Sequence, residues 1–488
     1  MIESNTNNWQ RDFLLLFLCI GLFFCIGLGA RPYITPSEAR YIEIPRQMLT
    51  TGDFLTPHIN GVQYFEKPPL FYWLQALFLS LGSSEFFGRI ATTLVVTLTC
   101  LMTYATGRLL YGRTAGLLAA TTLATSVMGY GLSRIAMLDA PVTLFLTCTI
   151  ASFIFAYKTE QKKFYYFMYA AAALAVMTKG LIGIVIPGLV IGGWIIFANN
   201  WKILREVKLF TGALLFLAIA APWHILMAMK HPQFLDFYFI HEHFERFVSN
   251  EHKRTAPWWF FIAVTLAGML PWVFAIPHLM RNLKQKIQSV RVDGDKKLFL
   301  LLWIVLPLLF FSFSNSKLVP YIFPIFPPLF IVIGNRLATI WQTKNKRIII
   351  TMGFIASICI AANYIAPTFD KRTVKPLIEI LKPQLQDDDM VVAYNSYWQD
   401  LPVYLNRNVT IAGWTGELSF GTKYTLGAKD WMISIDNFWE KCAKSKTNVY
   451  IFINEEDYKN IEPYADCGLH EVSRYGKTIL LKRIKTNE

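Results

Sequence analysis

Leu181-Ile-Gly-Ile-Val-Ile-Pro-Gly-Leu-Val-Ile-Gly-Gly-Trp-Ile-Ile-Phe197 carries no charge, and its one polar side-chain group is the indole N–H of Trp194. As a helix rising 1.5 Å per residue the stretch covers roughly 25 Å, close to the ~30 Å of hydrocarbon in a bilayer. Its flanks differ in kind. On the C-terminal side stands the basic run Trp201-Lys-Ile-Leu-Arg-Glu-Val-Lys208; on the N-terminal side, Met177-Thr-Lys-Gly180 places one lysine at a hairpin.

Working outward, the same asymmetry recurs. Candidate spans are Phe13 to Ala30, Ile90 to Leu110, Ala115 to Tyr130, Pro141 to Tyr157, Phe164 to Met177, Leu181 to Phe197, Phe210 to Met229, Trp258 to Leu279, Phe299 to Phe313, Val319 to Ile333 and Ile348 to Ala366. The expected fold is an α-helical polytopic membrane protein of about 11 spans. Composition agrees: 54% apolar and 16% charged residues lie far from the charged fraction of about a quarter in a soluble globule. Phe13 to Ala30 lacks the basic leader of a signal peptide and counts as an uncleaved first span.

Arg108 to Arg113, Lys158 to Lys163, Trp201 to Lys208, Arg281 to Lys297 and Arg336 to Arg347 are rich in Lys and Arg, and the positive-inside rule assigns them to the cytoplasm. The net charge of +14 is thus a topology signal spread over short loops rather than a nucleic-acid-binding face. Leu70 to Leu81, apolar but short, follows Pro68-Pro69 and reads as an interfacial or re-entrant helix. The expected domains are 1–366, a membrane domain with outer-face loops at 31–69 and 231–257, and 367–488, an outward-facing α/β domain. In the latter, Met390 to Tyr394, Val409 to Gly413, Val449 to Asn454 and Thr478 to Lys482 read as strands, and Val374 to Leu385 and Ile435 to Lys444 as helices. The seven cysteines show no metal-ligand spacing; Cys442 and Cys467 alone stand in polar sequence.

The outward loops hold the unusual chemistry. Polar groups at the rim of an apolar bundle are costly and therefore candidates for function. Each has a plainer reading beside the functional one. Thr35 and Glu38 match a capping box for a helix starting at Pro36. Glu66-Lys67 before Pro68-Pro69 needs solvation, a partner or a ligand, and a snorkelling Lys67 would satisfy it. Asp139 is good cap chemistry for the span behind it, and Lys179 suits an interfacial lysine. His241-Glu-His243, with Glu66, contains the donors for a divalent ion, and hydrogen-bonded surface histidines explain the pair equally well. Cations and phenols facing carboxylates suit a phosphate-bearing lipid whose sugar is displaced: the cations absorb the charge of the departing phosphate, and a carboxylate orients or deprotonates the acceptor.

Pro36-Ser-Glu-Ala-Arg-Tyr-Ile-Glu-Ile-Pro-Arg-Gln-Met48, Thr51-Gly-Asp-Phe54, Tyr64-Phe-Glu-Lys-Pro68, Leu138-Asp139, Met177-Thr-Lys-Gly180, His243 with Arg246-Phe247, Ala256-Pro-Trp258, Leu270-Pro-Trp272 and Ser316-Lys-Leu-Val-Pro-Tyr321 together resemble the bacterial ArnT aminoarabinose transferases. These belong to the C-type glycosyltransferase superfamily, with the protein O-mannosyltransferases. Thr415-Gly-Glu-Leu-Ser-Phe-Gly421 carries the resemblance into the terminal domain.

The resemblance implies an inverting transfer from an undecaprenyl-phosphate-linked sugar to lipid A or a related envelope lipid, in a bacterial inner membrane, with the active site on the periplasmic side. It implies Lys67, Arg246 and Tyr321 as the clamp on the carrier phosphate, with Arg40 and Tyr64 beside them. Glu66, His241 and His243 become candidate ligands for a divalent metal such as zinc, and Glu38 and Asp139 candidate catalytic carboxylates. Ser37 stands where the family usually has an Asp. A serine supplies no carboxylate, so either Glu38 or Asp139 takes that part or the acceptor needs no base, as an already anionic phosphate would not.

Two rivals remain at this level. A relative with the same donor and a protein hydroxyl or another envelope glycan as acceptor would need a base, against which Ser37 counts. A lipid transporter without chemistry would show paired half-repeats and polar residues through mid-membrane, whereas the notable residues here gather on one face.

Overall fold

The computed structural model describes residues 8–245, 256–275, 294–461 and 468–483. They group into two compact units: one of Met1–Leu28, Glu66–Phe71 and Arg89–Asn363, the other of Gly29–Phe65, Tyr72–Gly88 and Tyr364–Glu488. Packing thus gathers most of residues 31–69 with the C-terminal residues, although more than 270 positions separate them in the chain.

The first unit is a helical bundle. Glu85–Tyr111, Asp139–Thr159, Leu209–Lys230, Lys296–Phe313 and Val319–Phe369 are long and apolar enough to cross a membrane, as befits a multi-pass membrane protein. In their apolar windows Asp139–Thr159 is 78% buried and Leu209–Lys230 only 17%, so the former lies inside the bundle and the latter presents its side chains outward, toward lipid. Trp9–Cys25, Lys163–Lys179 and Ile182–Phe197 are shorter helices, and Leu70–Leu79 shorter still.

Three expectations need correction. The block Ala115 to Tyr130 is two helices, Arg113–Ala124 and Val127–Leu132, because Ser126 caps the second: its Oγ accepts the Gly129 N–H at 3.0 Å. Arg336 to Arg347 is not a loop. It belongs to the helix Phe326–Phe369, broken only at Lys344 (φ −128°, ψ 15°); the run holds no Gly or Pro, and its Lys, Arg and Gln are good helix formers. Helix Phe326–Phe369 is itself preceded by a 3₁₀ turn over Val319–Ile325 that carries Pro320 and Pro324.

Several arginines at the ends of the spans are fixed by partners. Asp12, 2% exposed, accepts from Arg108 Nη1 (3.0 Å), Arg113 Nε (2.6 Å) and Tyr104 Oη (2.8 Å). Arg134, 4% exposed, donates to the carbonyls of Phe24 (2.7 Å) and Ile26 (2.6 Å) and to Asn363 Oδ1 (2.9 Å). It closes the C-terminal end of helix Trp9–Cys25, where orphan carbonyls attract a cation.

The second unit contains helix Arg40–Thr51, a hairpin of β1 (His58–Ile59) and β2 (Val62–Gln63), and a six-stranded sheet of β3 (Met390–Tyr394), β4 (Thr410–Ala412), β5 (Met432–Ile433), β6 (Val449–Asn454), β7 (Leu469–Tyr475) and β8 (Thr478–Arg483), in the order β5-β4-β3-β6-β8-β7. β5, β4, β3 and β6 run parallel, with Val392 opposite Thr410 and Ile451; β8 and β7 add antiparallel. The parallel strands read as unbroken apolar runs because both of their faces are covered. Helix Ile435–Ala443 packs Phe438, Trp439 and Cys442 against Val392, Ile451 and Leu481. Cys467 lies outside the described residues.

Candidate functional site

In the first unit, three candidates from distant parts of the chain meet. Helices Asp139–Thr159 and Lys163–Lys179 form an antiparallel hairpin, so the first residue of one and the last of the other share an end. Lys179 Nζ donates to Asp139 Oδ1 at 2.5 Å and lies 4.3 Å from the ring centroid of Tyr321. Gly180, at φ +81°, stops the second helix there and returns its N–H to the Val176 carbonyl at 2.8 Å. An acid at a helix start and a base at a helix end both answer the helix dipole, so the pair is favoured before its own attraction is counted. Asp139 is inside the helix and makes no side-chain cap bond; the cap reading gives way to the ion pair.

Also in this unit, Glu66 is buried and Lys67 turns its ammonium back onto the Glu66 carbonyl at 2.8 Å. Lys317 is half-buried. Arg246 and the side chains of His241 and His243 lie outside the described residues, and among the described residues no three His, Cys, Asp or Glu gather as a metal site.

The second unit holds the remaining candidates. The Thr35–Glu38 capping box does not form: the helix begins at Arg40, and Ala39 before it makes no side-chain cap. Glu38 is fully buried, paired with Arg31 at 3.0 Å, and accepts the Ile34 N–H at 3.2 Å. Thr35 instead donates to Asp400 at 2.5 Å. Tertiary partners have taken both halves of a local motif. Ser37 is exposed. Arg40 pairs with Glu417, and Glu417 also accepts from Gln399 Nε2 at 3.2 Å. Tyr64 is 2% exposed and packed inside.

Sequence reading passed over several of these groups. Glu43, fully buried, accepts from both arms of Arg46 (2.6 and 2.7 Å), from Gln47 (2.8 Å) and from the Asn60 N–H (3.3 Å). Asp400 accepts from Thr35, from Thr373 (2.8 Å) and from the Val374 N–H (2.8 Å). Burial raises the Asp400 pKa against those hydrogen bonds. Gly421 closes the Thr415 to Gly421 motif for a steric reason: a Cβ there would stand 1.9 Å from the Gln63 carbonyl oxygen.

The family described as "Dolichyl-phosphate-mannose-protein mannosyltransferase" matches residues 66–226, and "Aminoarabinose transferase C-terminal domain" matches residues 377–483. A protein of Erwinia tasmaniensis named undecaprenyl phosphate-alpha-4-amino-4-deoxy-L-arabinose arabinosyl transferase is 35% identical over 349 residues, 69% of this chain and 61% of that protein. A protein of the same name from Enterobacter sp. (strain 638) is 33% identical over 340 residues, 68% of this chain and 60% of its own length. The matches thus span less than two thirds of these relatives. Among solved structures, ArnT from Cupriavidus metallidurans in the apo state superposes with a TM-score of 0.83 at 21% identity, covering 97% of this chain and 98% of that one. The same protein bound to undecaprenyl phosphate gives 0.79 at 22% identity and covers 98% of each chain. These two share the fold. By its two matched domains and these relatives, the chain belongs to the ArnT-like glycosyltransferases, related to the protein mannosyltransferases.

Proposed function

We propose that this protein transfers a sugar, an amino sugar by analogy with its relatives, from undecaprenyl phosphate to lipid A or a related envelope lipid at the periplasmic face of the inner membrane. An acceptor phosphate oxygen attacks the anomeric carbon opposite the carrier phosphate; the bond from that carbon to the carrier oxygen breaks, its electron pair leaves with the carrier, and configuration inverts. The chemical requirement is positive charge at the departing phosphate. Lys67, Arg246 and Tyr321 are our candidates for that clamp, with Arg40 and Tyr64 as further donor-side residues. Glu66, His241 and His243 are candidate ligands for a divalent ion.

The observation that carries the reading is the contact of Asp139, Lys179 and Tyr321, three residues from separate elements joined at one end of a membrane bundle. Lys179 bonds Asp139 and stands against the face of the Tyr321 ring, so a carboxylate, an ammonium and a phenol are kept close together. The aminoarabinose transferase match over residues 377–483 and the name shared by the relatives favour an undecaprenyl-phosphate-linked amino sugar as donor; Ser37, which supplies no carboxylate base, favours an anionic phosphate over a protein hydroxyl as acceptor.

Lipid A from cells with and without the protein, analysed by mass spectrometry, tests this directly. A pentosamine or hexosamine increment that disappears with the protein is the expected result; identical lipid A from both would overturn it.

A further inference from the structure

The C-terminal sheet sets out a ligand position before any side chain is considered. β3 pairs in parallel with β4 on one side and β6 on the other. In open parallel sheets the crevice beyond the carboxyl ends of strands that diverge in this way is where ligands bind. At that end lies an open cleft of about 660 Å³ lined by Lys371, Arg372, Lys477, Trp398, Phe369 and Thr35, among others, a size suited to a ligand larger than a lone phosphate. Trp398 lies just beyond β3. Lys477 precedes Thr478, which opposes Asn454 at the end of β6, and the Lys477 carbonyl accepts the Glu455 N–H at 2.9 Å.

Charge and depth narrow the choice of ligand. Lys371, Arg372 and Lys477 are exposed; the single acid in the lining, Asp370, is engaged by Arg372 at 2.8 and 2.9 Å. The cleft therefore has surplus positive charge. It begins where helix Phe326–Phe369 ends: Phe369, 81% exposed, is the last residue of that apolar helix, so the cleft's first residues follow directly in sequence on a span apolar enough to cross a membrane. The turn carrying Lys477 is held close to the linker at Gly476, φ +62°, where a Cβ would meet Lys371 Cβ at 3.1 Å.

We propose that this cleft docks the head group of the acceptor, a phosphorylated amino-sugar lipid, with Lys371, Arg372 and Lys477 on phosphate and the edge that the mostly buried Trp398 (8% exposed) leaves open against a sugar ring. Cations alone would suit any anionic lipid; the indole beside them and the room for a sugar select a glycolipid. The assignment rests on the lipid A reading above. It concerns where the acceptor is held, not the groups that cleave the donor.

The test uses the full chain in detergent. Lys371→Gln with Lys477→Gln removes two exposed cations and leaves the Arg372–Asp370 pair in place. The apparent KM for lipid A should rise about five- to tenfold, with kcat at saturating acceptor and the KM for the polyprenyl-linked donor unchanged; Lys371→Arg with Lys477→Arg should stay near wild type. An unchanged acceptor KM would overturn the proposal. A second arm without donor measures thermal stabilisation by purified lipid A and by phosphatidylglycerol. Lipid A should stabilise wild type more, and the double Gln variant should lose that excess; equal responses to the two lipids would show a general anionic surface and also overturn it. If wild type shows the lipid A response and transfers no sugar, the transferase reading fails and the docking cleft stands.

Discussion

Lys179 joins Asp139 at 2.5 Å while its ammonium faces the Tyr321 ring from 4.3 Å, so one lysine at the end of a helix organises a carboxylate and a phenol that are more than 180 residues apart in sequence. Both charged groups are mostly withdrawn from solvent, at 16% and 8% side-chain exposure. Removing either leaves the other without its counter-charge.

Lys179→Ala should therefore lower sugar transfer by about a hundredfold, or roughly 3 kcal/mol of barrier, and Asp139→Asn should weaken the effect of a second change at 179. A double-mutant cycle on transfer rate checks this; additive losses would mean the two side chains act independently.

Lys67→Ala should abolish sugar addition to lipid A while protein level in the membrane stays constant. Removing one donor to a developing negative charge costs about 10²–10³ in rate in comparable sites. Mass spectrometry of lipid A alongside a membrane immunoblot reads both quantities, and retained transfer would withdraw Lys67 from the phosphate clamp.

Ser37 is exposed beside a fully buried Glu38, so Ser37→Asp adds a carboxylate without disturbing the core. Transfer is expected to hold or rise. A clear fall, with the protein still folded, would mark Ser37 as an adaptation to a different substrate.

Glu417→Gln cuts the ion pair to Arg40 and keeps the side-chain shape. Loss of one partner from a mostly buried pair should destabilise the second unit by about 2 kcal/mol, read as a lower midpoint in thermal unfolding of the full chain. An unchanged midpoint would mean that water replaces Glu417 at no cost.

Asp400 gives a pH prediction. Its folded pKa is raised by burial, so the folded state favours the protonated form. That contribution is present below the unfolded value of about 3.9 and is lost as pH rises through the folded value. Asp400→Asn keeps an acceptor for the Val374 N–H and cannot ionise. Relative to wild type it should gain stability as pH rises from 4 to 8, read as a growing difference between the two unfolding midpoints. A constant difference across that range would remove the charge from the explanation.

The membrane helices were legible because their signal is one of length and polarity: Leu181 to Phe197 needs no partner to declare itself apolar. The strands of the terminal sheet were legible for a similar reason, as buried parallel strands spell continuous runs such as Val449 to Asn454. Exposed β7, with mixed polarity over Leu469–Tyr475, gave no such signal. Neither did Met432–Ile433, too short to show a period.

Local rules misled where a distant partner outbid a near one. Thr35 and Glu38 satisfy the spacing of a capping box, yet Thr35 turned to Asp400 and Glu38 to Arg31, because a buried carboxylate or hydroxyl takes whichever donor the packing brings within 3 Å. Arg108 and Arg113 carry the charge of topology signals, and only the folded bundle shows Asp12 waiting for them.

By itself the sequence determined that this chain lives in a membrane, which residues are too polar to sit idle at its rim, and which family motifs they compose, because hydropathy and motif spacing are properties of neighbours along the chain. Tertiary structure alone decided who touches whom: Lys179 with Asp139 and Tyr321, Arg40 with Glu417, Thr35 with Asp400. Those pairings depend on helices and strands closing loops of tens to hundreds of residues, and the directional bonds that result are fixed by packing rather than by sequence separation.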